Sequence, residues 1–157
     1  MVMHPDNPDT ILAATSGGIY KTINGGSSWN RVSSNTVHYK DIVYKPNDPS
    51  TAYATAYGDF YRSTNGGSSW SQVTTGIPSN GYRGCIAVTE DDSSYVYFLL
   101  TNTRTFYGLY RSTNSGQSFT TRSTTPNIMG YASDGSDNSG QSFYDADIVA
   151  DPNDKDV

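Results

Sequence analysis

Four aspartates are candidates for acid–base chemistry in this chain: Asp41, Asp59, Asp145 and Asp147. Two carboxyl groups that flank a glycosidic bond can hydrolyse it when they lie about 5 to 9.5 Å apart, one as the acid and one as the nucleophile or base. The single glutamate, Glu90, lies in a predicted turn. Glycoside hydrolysis is therefore one hypothesis, and it requires the fold to bring two of these aspartates to one face.

Other reactive side chains are few. The two histidines, His4 and His38, are isolated, which argues against a zinc site and against a Ser-His-Asp triad. The segment 133–140 offers oxygen ligands at short spacing, but it lacks the order of a calcium loop and its distal glutamate. The sequence therefore favours a solvated loop and no cofactor, with calcium as the alternative. Cys85 is the only cysteine and lies in an apolar run, so we expect it to be buried.

Charge and hydropathy narrow the class of protein. The net charge is −5 and the ten basic residues are dispersed, which argues against nucleic acid as a partner. No apolar run approaches the roughly 20 residues of a membrane helix, and residues 1–5 do not resemble a signal peptide. A surface rich in Ser, Thr, Asn and Tyr favours a secreted or cell-surface protein, whose signal peptide would lie upstream of this fragment.

An octet that recurs three times organises the chain. The copies begin at Thr22, Ser63 and Ser112, 41 and 49 residues apart, and a tyrosine and a basic residue precede each one. In each copy a hydroxyl residue and an asparagine can bond the backbone of a turn, a glycine can adopt positive φ, and an aromatic residue closes the hairpin. These positions are Thr22, Asn24, Gly26 and Trp29; Ser63, Asn65, Gly67 and Trp70; and Ser112, Asn114, Gly116 and Phe119.

A proline turn repeats in phase with the octet. The segment 4–10 recurs as 45–51 and again as 151–154, and 89–93 takes the same place without its prolines. Alternating runs after each turn predict strands, including a final one at 147–149. The repeats therefore divide the chain into units of about 4–44, 45–88 and 89–150, and 151–157 would start a further blade. Four short strands in 40 to 50 residues are typical of a propeller blade.

The octet resembles the Asp box, or BNR repeat, of sialidases, xyloglucan-cleaving hydrolases, sortilin-type receptors and secreted proteins of Bacteroidetes-type bacteria. This resemblance implies an all-β fold, a β-propeller fragment of about three four-stranded antiparallel blades with Asp-box hairpins. It also implies that the boxes are structural, here with asparagine in place of the commoner aspartate. The acid that xyloglucanase-like enzymes carry before the Tyr-basic pair is missing from 15–18 and 56–58, and a sialidase Arg-Ile-Pro motif is absent.

Residues 126–145 interrupt the repeat, and long loops on such scaffolds often carry function. If the chain has a ligand site, we predict that it uses Tyr131, Phe143, Tyr144 and Asp145; alternatively, these aromatic residues cover an edge strand. The predicted role is a non-catalytic extracellular scaffold that recognises a protein or polysaccharide. A glycoside hydrolase fragment and a structural assembly module are the alternatives. The open edges of three blades predict association with the remaining blades of a longer chain or with a second copy.

Overall fold

The computed structural model describes residues 1–156 and confirms an all-β fold of three four-stranded antiparallel sheets. In each sheet the strands follow one another as an up-and-down meander. The first sheet contains β1 (Val2–His4), β2 (Asn7–Thr15), β3 (Gly18–Thr22) and β4 (Asn30–Arg31). The second contains β5 (Tyr39–Tyr44), β6 (Ala52–Ala56), β7 (Asp59–Ser63) and β8 (Ser71–Val73). The third contains β9 (Arg83–Val88), β10 (Val96–Thr101), β11 (Phe106–Ser112) and β12 (Thr120–Ser123).

The sheet boundaries do not coincide with the boundaries of the sequence repeat. The proline turn joins β5 to β6 as a hairpin, with Val43 opposite Tyr53 and Tyr44 opposite Ala52. The strand at the end of the unit 4–44 is therefore the first strand of the second sheet. In the same way, β1 is the first strand of the first sheet and pairs with β2.

The sheets pack face to face as consecutive blades of a propeller. Leu12 and Ile19 of the first sheet form one core with Ile42 of the second sheet. Phe60 of the second sheet and Phe98 of the third sheet belong to the next core. Both faces of the second sheet are covered, which explains why every residue of β6 is buried. The first strands lie next to one another, because β5 contacts both β1 and β9.

The segment that follows β12 covers the outer face of the third sheet. Met129 and Ile148 pack against a small cluster that includes Leu99 and Phe106. A short helix, α1 (Ser142–Asp145), lies between them, and no helix in the described part is long and apolar enough to cross a membrane. Aliphatic side chains of the loop, rather than its exposed tyrosines, therefore make this cover.

The predicted strand at 147–149 is not present. These residues are irregular, and a strand needs a partner for its backbone groups; no strand follows β12 among residues 1–156. Residues 151–156 form turns with an isolated bridge between Asp151 and Asp154. The last residue of the predicted further blade, Val157, lies outside the described residues.

Candidate functional site

The box hairpins satisfy their own polar groups. In the second box, the Ser63 hydroxyl donates to Asn65 Oδ1 (3.0 Å) and accepts from the Gly67 backbone N–H (2.9 Å). Asn65 Oδ1 also accepts from the Ser69 N–H, and Asn65 Nδ2 donates to the Ser69 hydroxyl, both at 2.9 Å. The first and third boxes have the same bonds. The hydroxyl and asparagine side chains of the boxes are thus engaged in holding their own turns.

The aromatic residues of the boxes differ in burial. Trp70 is half-buried and donates its indole N–H to the Gly67 carbonyl (3.1 Å), whereas Phe119 is buried in the core between the second and third sheets. Trp29 is 37% exposed. The box aromatic residue is therefore less exposed where a preceding sheet covers the box. The first box has no sheet before it among residues 1–156.

A polar cleft of about 330 Å³ lies beside the first strands of the second and third sheets. Its walls come from β5, from β9 and from the chain around the end of α1. The lining residues are Lys40, Asp41, Arg83, Gly84, Cys85, Tyr144, Asp145, Ala146 and Asp147. Three distant stretches of sequence thus meet at one end of the sheets.

Three of the four candidate aspartates line this cleft, and Asp59 does not. The Asp41 carboxylate accepts two backbone N–H groups, from Ile42 and from Ile86, both at 2.8 Å. Asp147 Oδ1 accepts the N–H of Ile148 (2.9 Å), and Asp145 is exposed. Asp41 therefore bridges the second and third sheets. Asp145 and Asp147 are the cleft carboxylates that can still accept hydrogen bonds from a ligand.

Asp59 begins β7 and pairs with Ala56 across the hairpin. Partial burial raises the pKa of its carboxyl group, opposed by a hydrogen bond from Gln72. The Asp59 carboxyl group thus lies outside the cleft that the other three candidate aspartates line.

Two cations, Lys40 and Arg83, line the same cleft as the carboxylates. Arg83 Nη1 donates to the carbonyls of Phe143 (3.3 Å) and Tyr144 (3.0 Å), which fixes the end of the insertion against β9. Its Nε is buried and has no partner among the described residues. Lys40 Nζ lies 5.9 Å from the centre of the Tyr57 ring. The cleft therefore contains both hydrogen-bond donors and hydrogen-bond acceptors, which are carried by β5, by β9 and by the chain around the end of α1.

Aromatic rings that the sequence analysis missed stand next to this cleft. Tyr57 and Tyr82 are 44% and 38% exposed, with ring centroids 6.2 Å apart, and Tyr82 immediately precedes Arg83. Tyr57 occupies the β6–β7 turn with φ 52°, a conformation that residues other than glycine and asparagine seldom adopt. Its signal in the sequence is a tyrosine at a turn position where the first repeat has Ser16.

The predicted ligand-loop residues separate into two places. Tyr144 and Asp145 line the polar cleft, and the Phe143 ring lies 6.4 Å from that of Tyr144. Tyr131 is 67% exposed and lines a different hollow within the loop, formed by residues 126–135. The structure therefore brings Phe143, Tyr144 and Asp145 together and leaves Tyr131 apart.

The carboxylates of the acidic loop segment accept hydrogen bonds from the backbone of the same loop. Asp134 Oδ1 accepts the Ser136 N–H (3.1 Å), and Asp137 Oδ2 accepts the Tyr131 N–H (2.9 Å). Hydrogen bonding by the Ser136 side chain, and then by its N–H, lowers the pKa of Asp134, and the Tyr131 N–H lowers the pKa of Asp137. Within residues 1–156, no group of three or more His, Cys, Asp or Glu side chains is placed to hold a metal ion.

Cys85 is buried, as predicted. Its thiol lies on β9, is 4% exposed and donates to the Ala146 carbonyl at 3.2 Å. Burial raises the pKa of this thiol, so the side chain remains a protonated, inert part of the contact between β9 and the insertion.

The three sheets and their hairpins define a segment of a β-propeller of the Asp-box type. Within that class, the chain belongs to the Sortilin-Vps10 family, whose model (sortilin, neurotensin receptor 3) matches residues 17–155. A search among curated proteins found no significant match.

Solved structures with the same fold include GH74 enzymes and YCF48. An ancestral GH74 enzyme aligns with 76% of this chain at TM-score 0.65 and 24% identity, and the match covers 17% of the enzyme. The GH74 xyloglucanase from Xanthomonas campestris aligns with 84% at TM-score 0.63 and 16% identity, over 23% of its length. YCF48 from Cyanidioschyzon merolae aligns with 78% at TM-score 0.56 and 19% identity, over 36% of its length. The chain thus spans a minor part of each, and at these identities the likeness establishes the fold.

Proposed function

We propose that this chain is a non-catalytic recognition segment of an extracellular propeller and that it binds a neutral carbohydrate at the polar cleft. The observation that carries the proposal is that exposed tyrosines lie on and beside a cleft lined by charged side chains: Tyr144 lines the cleft, and Tyr57 lies 5.9 Å from Lys40, which also lines it. Tyr57, Tyr82 and Tyr144 supply flat apolar faces beside the cleft. Ligand sites typically combine such apolar surface with a few placed polar groups.

The chemistry of the cleft suits hydroxyl groups better than a strongly charged ligand. A sugar hydroxyl both donates and accepts, and the cleft offers the Lys40 and Arg83 cations together with the Asp145 and Asp147 carboxylates. A pyranose ring also has apolar C–H faces that can pack on tyrosine rings. The net charge of −5 argues against polyanionic ligands.

Binding to neutral polysaccharides tests the proposal. We expect xyloglucan or a related neutral glycan to retard the chain in affinity electrophoresis, and Tyr57→Ala and Tyr144→Ala each to weaken binding about tenfold, equivalent to about 1.4 kcal/mol. Tyr131→Ala is the matched control, because it removes a tyrosine that is 67% exposed and lies outside the cleft. Unchanged binding in both cleft variants would overturn the proposal.

A second candidate, a fragment of a glycoside hydrolase, is favoured by the position of Asp145 and Asp147 in one cleft. The GH74 likeness is compatible with it. This candidate predicts release of reducing ends from xyloglucan by the wild-type chain and loss of that release in Asp145→Asn and Asp147→Asn. Binding without any release of reducing ends would favour recognition.

A further inference from the structure

Three asparagines of this chain are followed directly by glycine. They are Asn24 and Asn65 of the first two boxes and Asn80 of the connection 74–82 between β8 and β9. In such a pair the backbone nitrogen of the glycine can attack the side-chain amide carbon of the asparagine, because glycine has no Cβ to shield that nitrogen. The three pairs therefore share one intrinsic chemistry, and the fold decides whether each can react.

This chemistry needs water as its only co-reactant. A bond forms between the glycine nitrogen and the asparagine Cγ, the nitrogen loses its proton, and the side-chain amide leaves as ammonia. Water then opens the resulting succinimide ring at one of its two carbonyl carbons. Opening at the side-chain carbonyl gives aspartate. Opening at the main-chain carbonyl gives isoaspartate, whose main chain runs through Cβ and Cγ and is therefore longer.

The two boxes hold their asparagines away from this reaction. Asn65 Oδ1 accepts two hydrogen bonds within its box and Nδ2 donates a third. The attacking group is engaged as well, since the Gly66 N–H donates to the Ser50 carbonyl (2.6 Å). The first box has the same side-chain bonds, and its Gly25 N–H donates to the Asp9 carbonyl (3.0 Å). In both boxes these bonds must break before the ring can form.

Asn80 lacks this protection. Its side chain is exposed, and its one hydrogen bond within residues 1–156 comes from the hydroxyl of Tyr107, which donates to Oδ1 at 3.3 Å. The Gly81 N–H donates to no acceptor within the same residues. The connection between Val73 and Arg83 contains neither strand nor helix. The two reacting groups of this pair are therefore free to meet in the folded chain.

The backbone that follows this asparagine has no room for a longer main chain. A Cβ on Gly58 would lie 2.5 Å from the Gly81 Cα, and a Cβ on Gly81 would lie 2.4 Å from Leu100. The next residue, Tyr82, donates its N–H to the Thr101 carbonyl (2.7 Å). An isoaspartate at position 80 would therefore displace the chain at the start of β9.

We propose that Asn80 is a site of spontaneous deamidation in the folded chain, and that the boxes protect Asn24 and Asn65 from the same reaction. The reaction places a new carboxylate two residues before Tyr82 and three before Arg83, so the chain beside the cleft gains negative charge. This inference is independent of the proposed carbohydrate binding.

Incubation of the folded chain at mildly alkaline pH, followed by peptide mapping with mass spectrometry, tests the proposal. Digestion after aromatic residues places the three pairs in the separate peptides 21–29, 62–70 and 71–82. We expect the peptide 71–82 to convert from amide to acid at least about tenfold faster than the other two, because several hydrogen bonds must first break in the boxes. Asn80→Gln should abolish this conversion and leave the peptides 21–29 and 62–70 unchanged.

The chain unfolded in guanidinium chloride is the matched control, and in it the three pairs should convert at similar rates. Fast conversion of 71–82 alone in the folded chain, with similar rates in the unfolded chain, supports the proposal. Equal rates in the folded chain would show that the boxes give no protection, which overturns it. A peptide 71–82 that stays unmodified in the folded chain overturns it as well, whether or not the unfolded chain reacts.

Discussion

At the scale of single residues, Tyr44 shows what burial does to a polar group in this core. The ring packs on His4 with centroids 5.1 Å apart, and the side chain is 5% exposed. Its hydroxyl is buried and has no partner among residues 1–156. Burial raises the pKa of Tyr44 from 10.0 to about 12, because the anion would lose its hydration. The protonated phenol is therefore favoured by folding.

Tyr44→Phe should remove a pH-dependent part of the stability. Because the folded pKa lies above the unfolded one, the contribution is complete below pH 10 and is lost as the pH rises through about 12. We expect the variant to have a free energy of unfolding equal to or about 1 kcal/mol above that of the wild type at pH 7, and to lose less of it above pH 10. Urea titrations at both pH values measure this, with the exposed Tyr131→Phe as control. An identical alkaline loss in Tyr44→Phe and wild type would contradict the prediction.

At the scale of the element, the two adjacent glycines of one box have different structural roles. Gly66 (φ 64°) and Gly67 (φ 79°) both have left-handed backbones. A Cβ on Gly66 would meet nothing closer than 3.7 Å, and the equivalent Ser115 of the third box shows that a side chain fits there with φ 57°. A Cβ on Gly67 would lie 2.6 Å from Leu12 of the preceding sheet. The first glycine serves the turn, and the second serves the contact between sheets.

The two alanine substitutions should therefore lower the free energy of unfolding by different amounts. Gly66→Ala carries only the strain of the left-handed backbone, about 1 kcal/mol. Gly67→Ala adds overpacking against Leu12, typically about 1 to 3 kcal/mol more. The free energies of unfolding of the two variants, compared in urea, measure the difference. Equal losses would mean that the tight approach to Leu12 relaxes without cost.

At the scale of the whole molecule, a few polar bonds tie the sheets together beside their apolar cores. The Asp41 carboxylate links its own strand to the Ile86 N–H of β9, and the Thr55 hydroxyl donates to the Gly84 carbonyl at 2.7 Å. Asp147 occupies the same sequence context, Asp-Ile-Val, but its bond is to Ile148 within its own segment. The same tripeptide thus bridges two sheets at one site and makes only a local hydrogen bond at the other.

Asp41→Ala should loosen the second and third sheets together. It removes two charge-assisted bonds to backbone N–H groups and leaves the Ile86 donor without its partner, a loss of about 2 to 4 kcal/mol. Asp147→Ala, which removes one bond near the surface, should change the free energy of unfolding by less than about 1 kcal/mol. Thermal unfolding followed by circular dichroism measures both. Similar midpoints for the two variants would exclude the bridging role of Asp41.

The repeat made the architecture predictable. Each octet encodes its own hairpin, because the hydroxyl and asparagine side chains bond within the same eight residues. The alternating runs before Thr22, Ser63 and Ser112 are strands in the structure. The burial of Cys85 followed from its apolar neighbours. The prediction of a strand at 147–149 was wrong. A strand needs a partner elsewhere in the chain, and the local sequence pattern carries no information about that partner.

The cleft could not be derived in full from the sequence. The pattern of the insertion singled out Tyr144 and Asp145, but Tyr57, Tyr82 and Arg83 belong to ordinary repeat positions whose meeting depends on how the sheets pack. By itself the sequence determined the class of fold and its hairpins, since those rest on hydrogen bonds between near neighbours. Only the tertiary structure decided which carboxylates already accept hydrogen bonds and which side chains meet at the cleft, because these depend on contacts between residues more than 40 positions apart, such as Asp41 with Ile86 and Arg83 with Tyr144.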